Sequence, residues 1–112
     1  VLEQLKGYDV ELGVAYDWEN WSDFNDAGIS FYTLNKSAQT FLDLMHDAGY
    51  NGFLYGSKNY LDAFWDLPGY QIWLAQYYHR PTYTGEFKLW QMSDYGRIDG
   101  IKTDVDVDVL YL

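Results

Sequence analysis

Val14-Ala15-Tyr16-Asp17-Trp18-Glu19-Asn20-Trp21 is the stretch around which the chain organises. The apolar and small run from Leu12 to Tyr16 reads as a buried strand, and two carboxylates stand where it ends. Alternate strand residues point to one face, so Asp17 and Glu19 project together, with Cα atoms about 6.5–7 Å apart. Gly13, Ala15, Asp17 and Glu19 form a face that is small and then acidic. Leu12, Val14, Tyr16 and Trp18 form a bulky apolar one. That division suits a barrel strand with its large residues under helices and its small ones lining a crowded interior. Paired carboxyls at this spacing suit glycoside hydrolysis, one as acid and the other as nucleophile, base or charge stabiliser. An Asp-x-Glu is also common as a pair of solvated turn residues.

Outward from this strand, the spacing predicts alternating elements. Val1 to Leu5 reads as the last turn of a helix, with Gly7 near its C-cap. Residues 20–32 read as an irregular loop holding Trp21, Asp23 and Phe24; the two rings either wall a cleft or pin the loop down. Leu34, Ala38, Phe41, Leu42, Met45 and Ala48 predict a helix over 33–48, capped by Thr33 or Asn35 and ended by Gly49. His46 falls on its polar side. A strand over 52–56 follows, then a helix capped by Ser57 with Leu61, Phe64 and Trp65 inward, ended by Pro68-Gly69. Strands are expected over 70–77, with Trp73, Ala75 and Tyr77 on one face, over 87–92, and over 104–109. The loop 78–85 carries His79, which reads as a surface residue. Residues 93–101 read as a turn-rich link. Strand–helix–strand alternation before residue 70 predicts βαβ units and a parallel sheet.

Composition narrows the partners. With 112 residues the chain is one small domain. Its 12 Tyr, 6 Phe and 5 Trp exceed what a core needs and suit flat sugar faces, although a large aromatic core is the commoner use. A net charge of −10 without a Lys/Arg cluster argues against nucleic acid and an anionic membrane. It permits a neutral polysaccharide. Without cysteine there is no disulfide or thiolate metal site. The alternating Asp104 to Val109 segment lacks the Gly and Glu of an EF-hand loop, so no metal or cofactor is expected. No signal peptide or bilayer-length apolar stretch is visible. Val rather than Met at residue 1 reads as a processed chain or a fragment.

Three separated stretches carry a resemblance: Asp17-Trp18-Glu19; Ile72-Trp73-Leu74-Ala75-Gln76-Tyr77; and Trp90-Gln91-Met92 followed by Gly96, Gly100-Ile101 and Val105-Asp106-Val107-Asp108. In this order the chain resembles the glycoside hydrolase family 25 muramidases, the Chalaropsis-type lysozymes. The resemblance covers essentially all 112 residues. It implies an irregular TIM-like (β/α) barrel of eight strands whose last three lack long helices between them. Residues 1–112 would then be the C-terminal part of one such barrel, with about five strands. The family's first three strands, and an Asp of its acidic cluster, would precede Val1.

The resemblance further implies hydrolysis of the β-1,4 bond between N-acetylmuramic acid and N-acetylglucosamine in peptidoglycan. Glu19 matches the general acid, Asp17 a carboxylate that stabilises charge or orients the N-acetyl group, and Asp106 the acid completing the cluster. Asp108 stands where the family often has Asn and receives no role. Trp21, Tyr55, Trp73 and Tyr77 are the candidate sugar platforms, and Trp21 the candidate for lowering polarity around Glu19. Such an enzyme would work outside the cell or at the wall, secreted or phage-encoded. The other readings are an inactive truncated remnant, a non-catalytic glycan- or wall-binding protein, and a piece that self-associates through open barrel edges.

Overall fold

The computed structural model describes residues 1–112, apart from the side chain of Asp23. Five strands form one sheet in sequence order: β1 (Val14–Asp17), β2 (Gly52–Ser57), β3 (Gln71–Ala75), β4 (Leu89–Gly96) and β5 (Val105–Leu110). β1 to β4 run parallel, and β5 returns antiparallel to β4. Helices α1 (Leu2–Leu5), α2 (Trp21–Ala27), α3 (Phe31–Asp47) and α4 (Lys58–Ala63) all precede β3. The crossover from β3 to β4 contains no helix. This is the expected half-barrel, helical in its first part and connected only by loops in its second.

The register sorts the side chains by parity. Tyr16, Leu54, Gly56, Ile72, Leu74, Trp90, Met92 and Val109 face the helices, where all but Gly56 join or pack on one apolar core. Leu34, Ala38, Leu42, Leu61, Phe64 and Trp65 supply the helical side of that core. Tyr16 shows how β1 is held: its ring meets Phe41 and Trp65 at 5.6 and 6.0 Å, and its hydroxyl donates to Ser37 Oγ at 3.2 Å. Gly56 lets the Trp65 ring lie against β2, since a Cβ there would sit 3.3 Å from it. At the start of β1, Gly13 has φ +129, and a Cβ would meet Asn51 O at 2.6 Å. Only glycine fits where the chain enters the sheet this close to its neighbour.

Several expected boundaries move. The loop expected over 20–32 contains α2, because Asn20 caps it: Oδ1 accepts from Ser22 N at 3.1 Å and its carbonyl from Phe24 N at 3.2 Å. Gly28, at φ +62, lies just past the helix end. The helix expected from residue 33 starts at Phe31, capped by Ser30, whose Oγ accepts from Thr33 N at 3.1 Å. Asn35 is not a cap. Its amide instead ties α3 to the segment after α4, donating to Phe64 O and accepting from Asp66 N, both at 2.8 Å. α4 ends before Pro68-Gly69, with Phe64 as its C-cap. The expected strands 10–19 and 70–77 shorten to their paired centres. β4 instead runs on to Gly96, because Ser93 and Gly96 pair with Val107 and Val105 across two register shifts. α1 is a single turn with nothing buried, and Gly7 follows it at φ +83.

Candidate active site

The opposite parity gives the other face of the sheet. Asp17 pairs in register with Tyr55, Tyr55 with Trp73, and Ala75 with Gln91, which pairs with Asp108. Each of these points away from the helices. The first three strands are parallel, so their C-terminal ends gather on one rim, where such sheets place reacting groups. β5 runs the other way and brings Asp106, near its start, back to that rim.

Two hydrogen-bond sets organise this face. Tyr55 and Tyr77 both donate their hydroxyls to Gln91 Oε1, at 2.7 and 2.8 Å, and Gln91 Nε2 donates to Asp106 Oδ2 at 3.3 Å. Beside them, Trp73 Nε1 donates to Asp108 Oδ1 at 2.7 Å, and the Trp73 ring stands edge-on to Tyr55 at 5.7 Å. Gln91 is 6% exposed, the one buried polar or charged residue among the described residues. A buried amide of this kind is stable only when its donors and acceptors are met.

Glu19 stands just beyond the end of β1 and shares a hydrogen bond with Asp17. Its carboxyl is held above its ordinary value of 4.5 by partial burial first, then by that hydrogen bond and charge, then by the charge of Asp106. These causes place Asp17, Glu19 and Asp106 in one electrostatic group. Burial, and then the charge of Glu19, likewise pushes the Tyr55 phenol up. Burial and the charges of Asp94 and Asp106 raise that of Tyr77. Asp108 is raised by burial, against the lowering effect of its Trp73 hydrogen bond. Both phenols therefore stay protonated at neutral pH.

Glu19, Tyr55, Lys58, Asn59, Gln76 and Tyr77 line a cleft of about 350 Å³. Larger hollows lie among Leu67, Pro68 and Tyr70 on the helix side, away from the carboxylates. The structure thus gathers Asp17, Glu19, Tyr55, Trp73, Tyr77 and Asp106 on one face. Trp21 is placed elsewhere. Its ring stacks on Phe24 at 5.0 Å and contacts Phe31, Tyr60 and Phe64, in the aromatic cluster that also holds Trp18. It pins α2 to the helix layer. His46 and His79 are exposed. Among the described residues no group of three or more His, Cys, Asp or Glu is arranged to hold a metal ion.

Gln91 was not among the expected site residues. Its sequence signal is the Trp90-Gln91-Met92 stretch that carries part of the resemblance, which gives the amide no role.

The chain matches glycosyl hydrolases family 25 over residues 2–101. Among curated proteins, none matches it in sequence. Among solved structures, it is similar to a family 25 glycosyl hydrolase from Bacillus anthracis, with 19% identity and a TM-score of 0.75, covering 93% of this chain and 52% of that one. It is also similar to the modular autolysin LytC from Streptococcus pneumoniae, with 28% identity and a TM-score of 0.74, covering 98% of this chain and 28% of that one. The spore cortex lytic enzyme SleM of Clostridium perfringens is similar at 19% identity and a TM-score of 0.59, over 71% of this chain and 32% of that one. The chain therefore spans about half the length of the Bacillus anthracis hydrolase. A match over nearly all its residues, on a half-barrel with this acidic rim, makes the chain a member of glycosyl hydrolases family 25.

Proposed function

We propose that residues 1–112 form the C-terminal part of a single barrel that hydrolyses peptidoglycan. The bond is the β-1,4 linkage between N-acetylmuramic acid and N-acetylglucosamine. Family membership supports glycoside hydrolysis, and the names autolysin and spore cortex lytic enzyme, borne by two similar proteins, support a cell-wall polymer as substrate. Action outside the cell or at the wall follows from that substrate.

The observation that carries the reading is Glu19. It is a carboxyl held above its ordinary value beside Asp17, at the mouth of a cleft lined by tyrosines. A general acid must be protonated when the glycosidic oxygen departs, and a raised pKa favours that form. Glu19 therefore protonates the leaving oxygen. Asp17, two residues earlier, has the role of stabilising positive charge developing at the anomeric carbon or orienting the N-acetyl group. Asp106, held by Gln91, completes the acidic cluster. Trp73 and Tyr77 offer ring faces to sugar, and Tyr55 its hydroxyl.

The test is digestion of purified peptidoglycan by the polypeptide carrying this chain, reading new reducing ends against a Glu19→Gln control. Release that depends on Glu19 is expected. A folded wild-type protein that binds glycan without releasing reducing ends would instead make this a glycan-binding member of the family.

A further inference from the structure

The three oxygens of Tyr55, Tyr77 and Gln91 form a small triangle. Both phenols lie within hydrogen-bond distance of Gln91 Oε1, at 2.7 and 2.8 Å, and the two hydroxyls are also within reach of each other. The triangle contains two protons, one from each phenol, because an amide oxygen carries none. Both are consumed in holding it together. What remains pointing outward on the phenol oxygens is lone pairs.

The other end of the Gln91 amide fixes which way it faces. Nε2 donates to Asp106 Oδ2 at 3.3 Å. Turned over, the amide would set Oε1 against a carboxylate, lone pair to lone pair, and aim N–H groups at the phenols. The Asp106 carboxylate therefore orients Gln91, and Gln91 orients the two hydroxyls. Gln91 itself is 6% exposed, so its amide depends on these partners rather than on water, although Tyr77 and Asp106 reach the surface.

We propose that Gln91 is a positioning residue that sets the hydrogen-bond polarity of the cleft. It makes Tyr55 and Tyr77 acceptors, so that they select ligand groups that donate: a sugar hydroxyl or the N–H of an acetamido group. A carbonyl oxygen meets no donor at these two phenols and is directed to the N–H groups of Lys58, Asn59 or Gln76 along the same cleft. This deepens the hydrolase reading, since it assigns part of the same cleft a chemical preference. The polarity itself rests on the geometry of Gln91 alone.

Two variants separate this role from simple packing. Gln91→Met keeps the volume and removes all three hydrogen bonds. Gln91→Glu sits among Asp17, Glu19, Asp94 and Asp106, whose charges favour its protonated form. That form reproduces the amide, with a carbonyl oxygen for the phenols and an O–H for Asp106. A packing role makes Met the milder change; a polarity role makes Glu the milder one.

The experiment is proton NMR of the phenol hydroxyls, assigned with Tyr55→Phe and Tyr77→Phe, combined with steady-state turnover of glycan strands. A slowly exchanging Tyr55 hydroxyl signal is expected in the wild type and in Gln91→Glu at acid pH, with a faster-exchanging one from the half-exposed Tyr77, and neither in Gln91→Met. KM should rise about tenfold in Gln91→Met, the loss of roughly two ordered hydrogen bonds, and recover in Gln91→Glu. Absence of both signals from the wild type would overturn the proposal, and needs no variant at position 91 that folds. A milder KM effect for Met than for Glu would overturn it too. Protected signals in a wild type without turnover would uphold the polarity while removing the hydrolase reading.

Discussion

The two faces of the sheet are built from the same strands by opposite rules. Leu54, Leu74 and Trp90 meet Leu42, Leu61 and Trp65 on the helix side, where burial is nearly complete and contacts are apolar. One residue along each strand, Tyr55, Trp73 and Gln91 meet Asp106 and Asp108 through directed hydrogen bonds. The first face tolerates volume-conserving exchange, because apolar packing is not directional. The second does not, because each group there has a partner with a set donor or acceptor. The period-two alternation of a strand lets one sequence meet both demands. It teaches that stability and chemistry here are separable by parity.

Breaking the chemical face should show the largest effect. Under the proposed role of Glu19 as general acid, Glu19→Gln removes the donated proton, and turnover should fall by about 10²–10⁴-fold. The fold should be unharmed and slightly more stable at neutral pH. The sign follows from the raised pKa: folding favours protonated Glu19, so its contribution is full in acid and lost as pH rises through the folded value. Gln, uncharged at every pH, avoids that loss. Thermal melts at acid and neutral pH would check it. An equal or lower melting temperature at neutral pH would mean Glu19 is not strained there.

Breaking the packing face should act only on stability. Leu54→Ala empties a site that is 1% exposed, under Leu42 and Leu61. A loss of about 2–5 kcal/mol in urea unfolding is expected. Reducing-end release per folded molecule should stay near wild type, and a drop to the level of Glu19→Gln would show the faces are coupled.

Asp17→Asn sharpens the contrast within the chemical face. It removes the neighbouring charge that helps hold Glu19 above its ordinary value. The alkaline limb of the pH–rate profile reports Glu19 losing its proton, so it should move to lower pH. A limb that stays in place would assign it to another group. Arg97→Ala should do least: its pair with Asp104, at 3.3 Å, is more than half exposed on both sides, and a change within about 1 kcal/mol is expected by chemical denaturation.

Much of this was legible in the sequence, and for a physical reason. The parity of Ala15, Asp17 and Glu19 against Val14, Tyr16 and Trp18 is a local property, so the two faces of β1 could be assigned before any contact was known. The α3 stripe Leu34, Ala38, Leu42 and Met45 followed equally from helical period and is buried. What failed depended on competition between neighbours. Thr33 and Asn35 are good caps, yet Ser30 outcompetes them because Phe31 and Phe64 stack and extend the helix backward. Trp21 fitted either a cleft wall and sugar platform or a pin for its loop; four rings, Phe24, Phe31, Tyr60 and Phe64, hold it in the helix layer. Gln91 stands in the Trp90-Gln91-Met92 stretch of the resemblance yet received no role, because its importance lies in three residues distant in sequence, Tyr55, Tyr77 and Asp106. No local pattern reports such a convergence.

The central claim is that the chemical face holds Glu19 as an acid. Carboxyl-selective NMR titration of Glu19 in this chain tests that most directly, since it needs neither substrate nor turnover. The account predicts a pKa above 4.5 that falls toward it in Asp17→Asn. A wild-type Glu19 titrating at or below 4.5 would contradict the account and leave the proton donor unassigned.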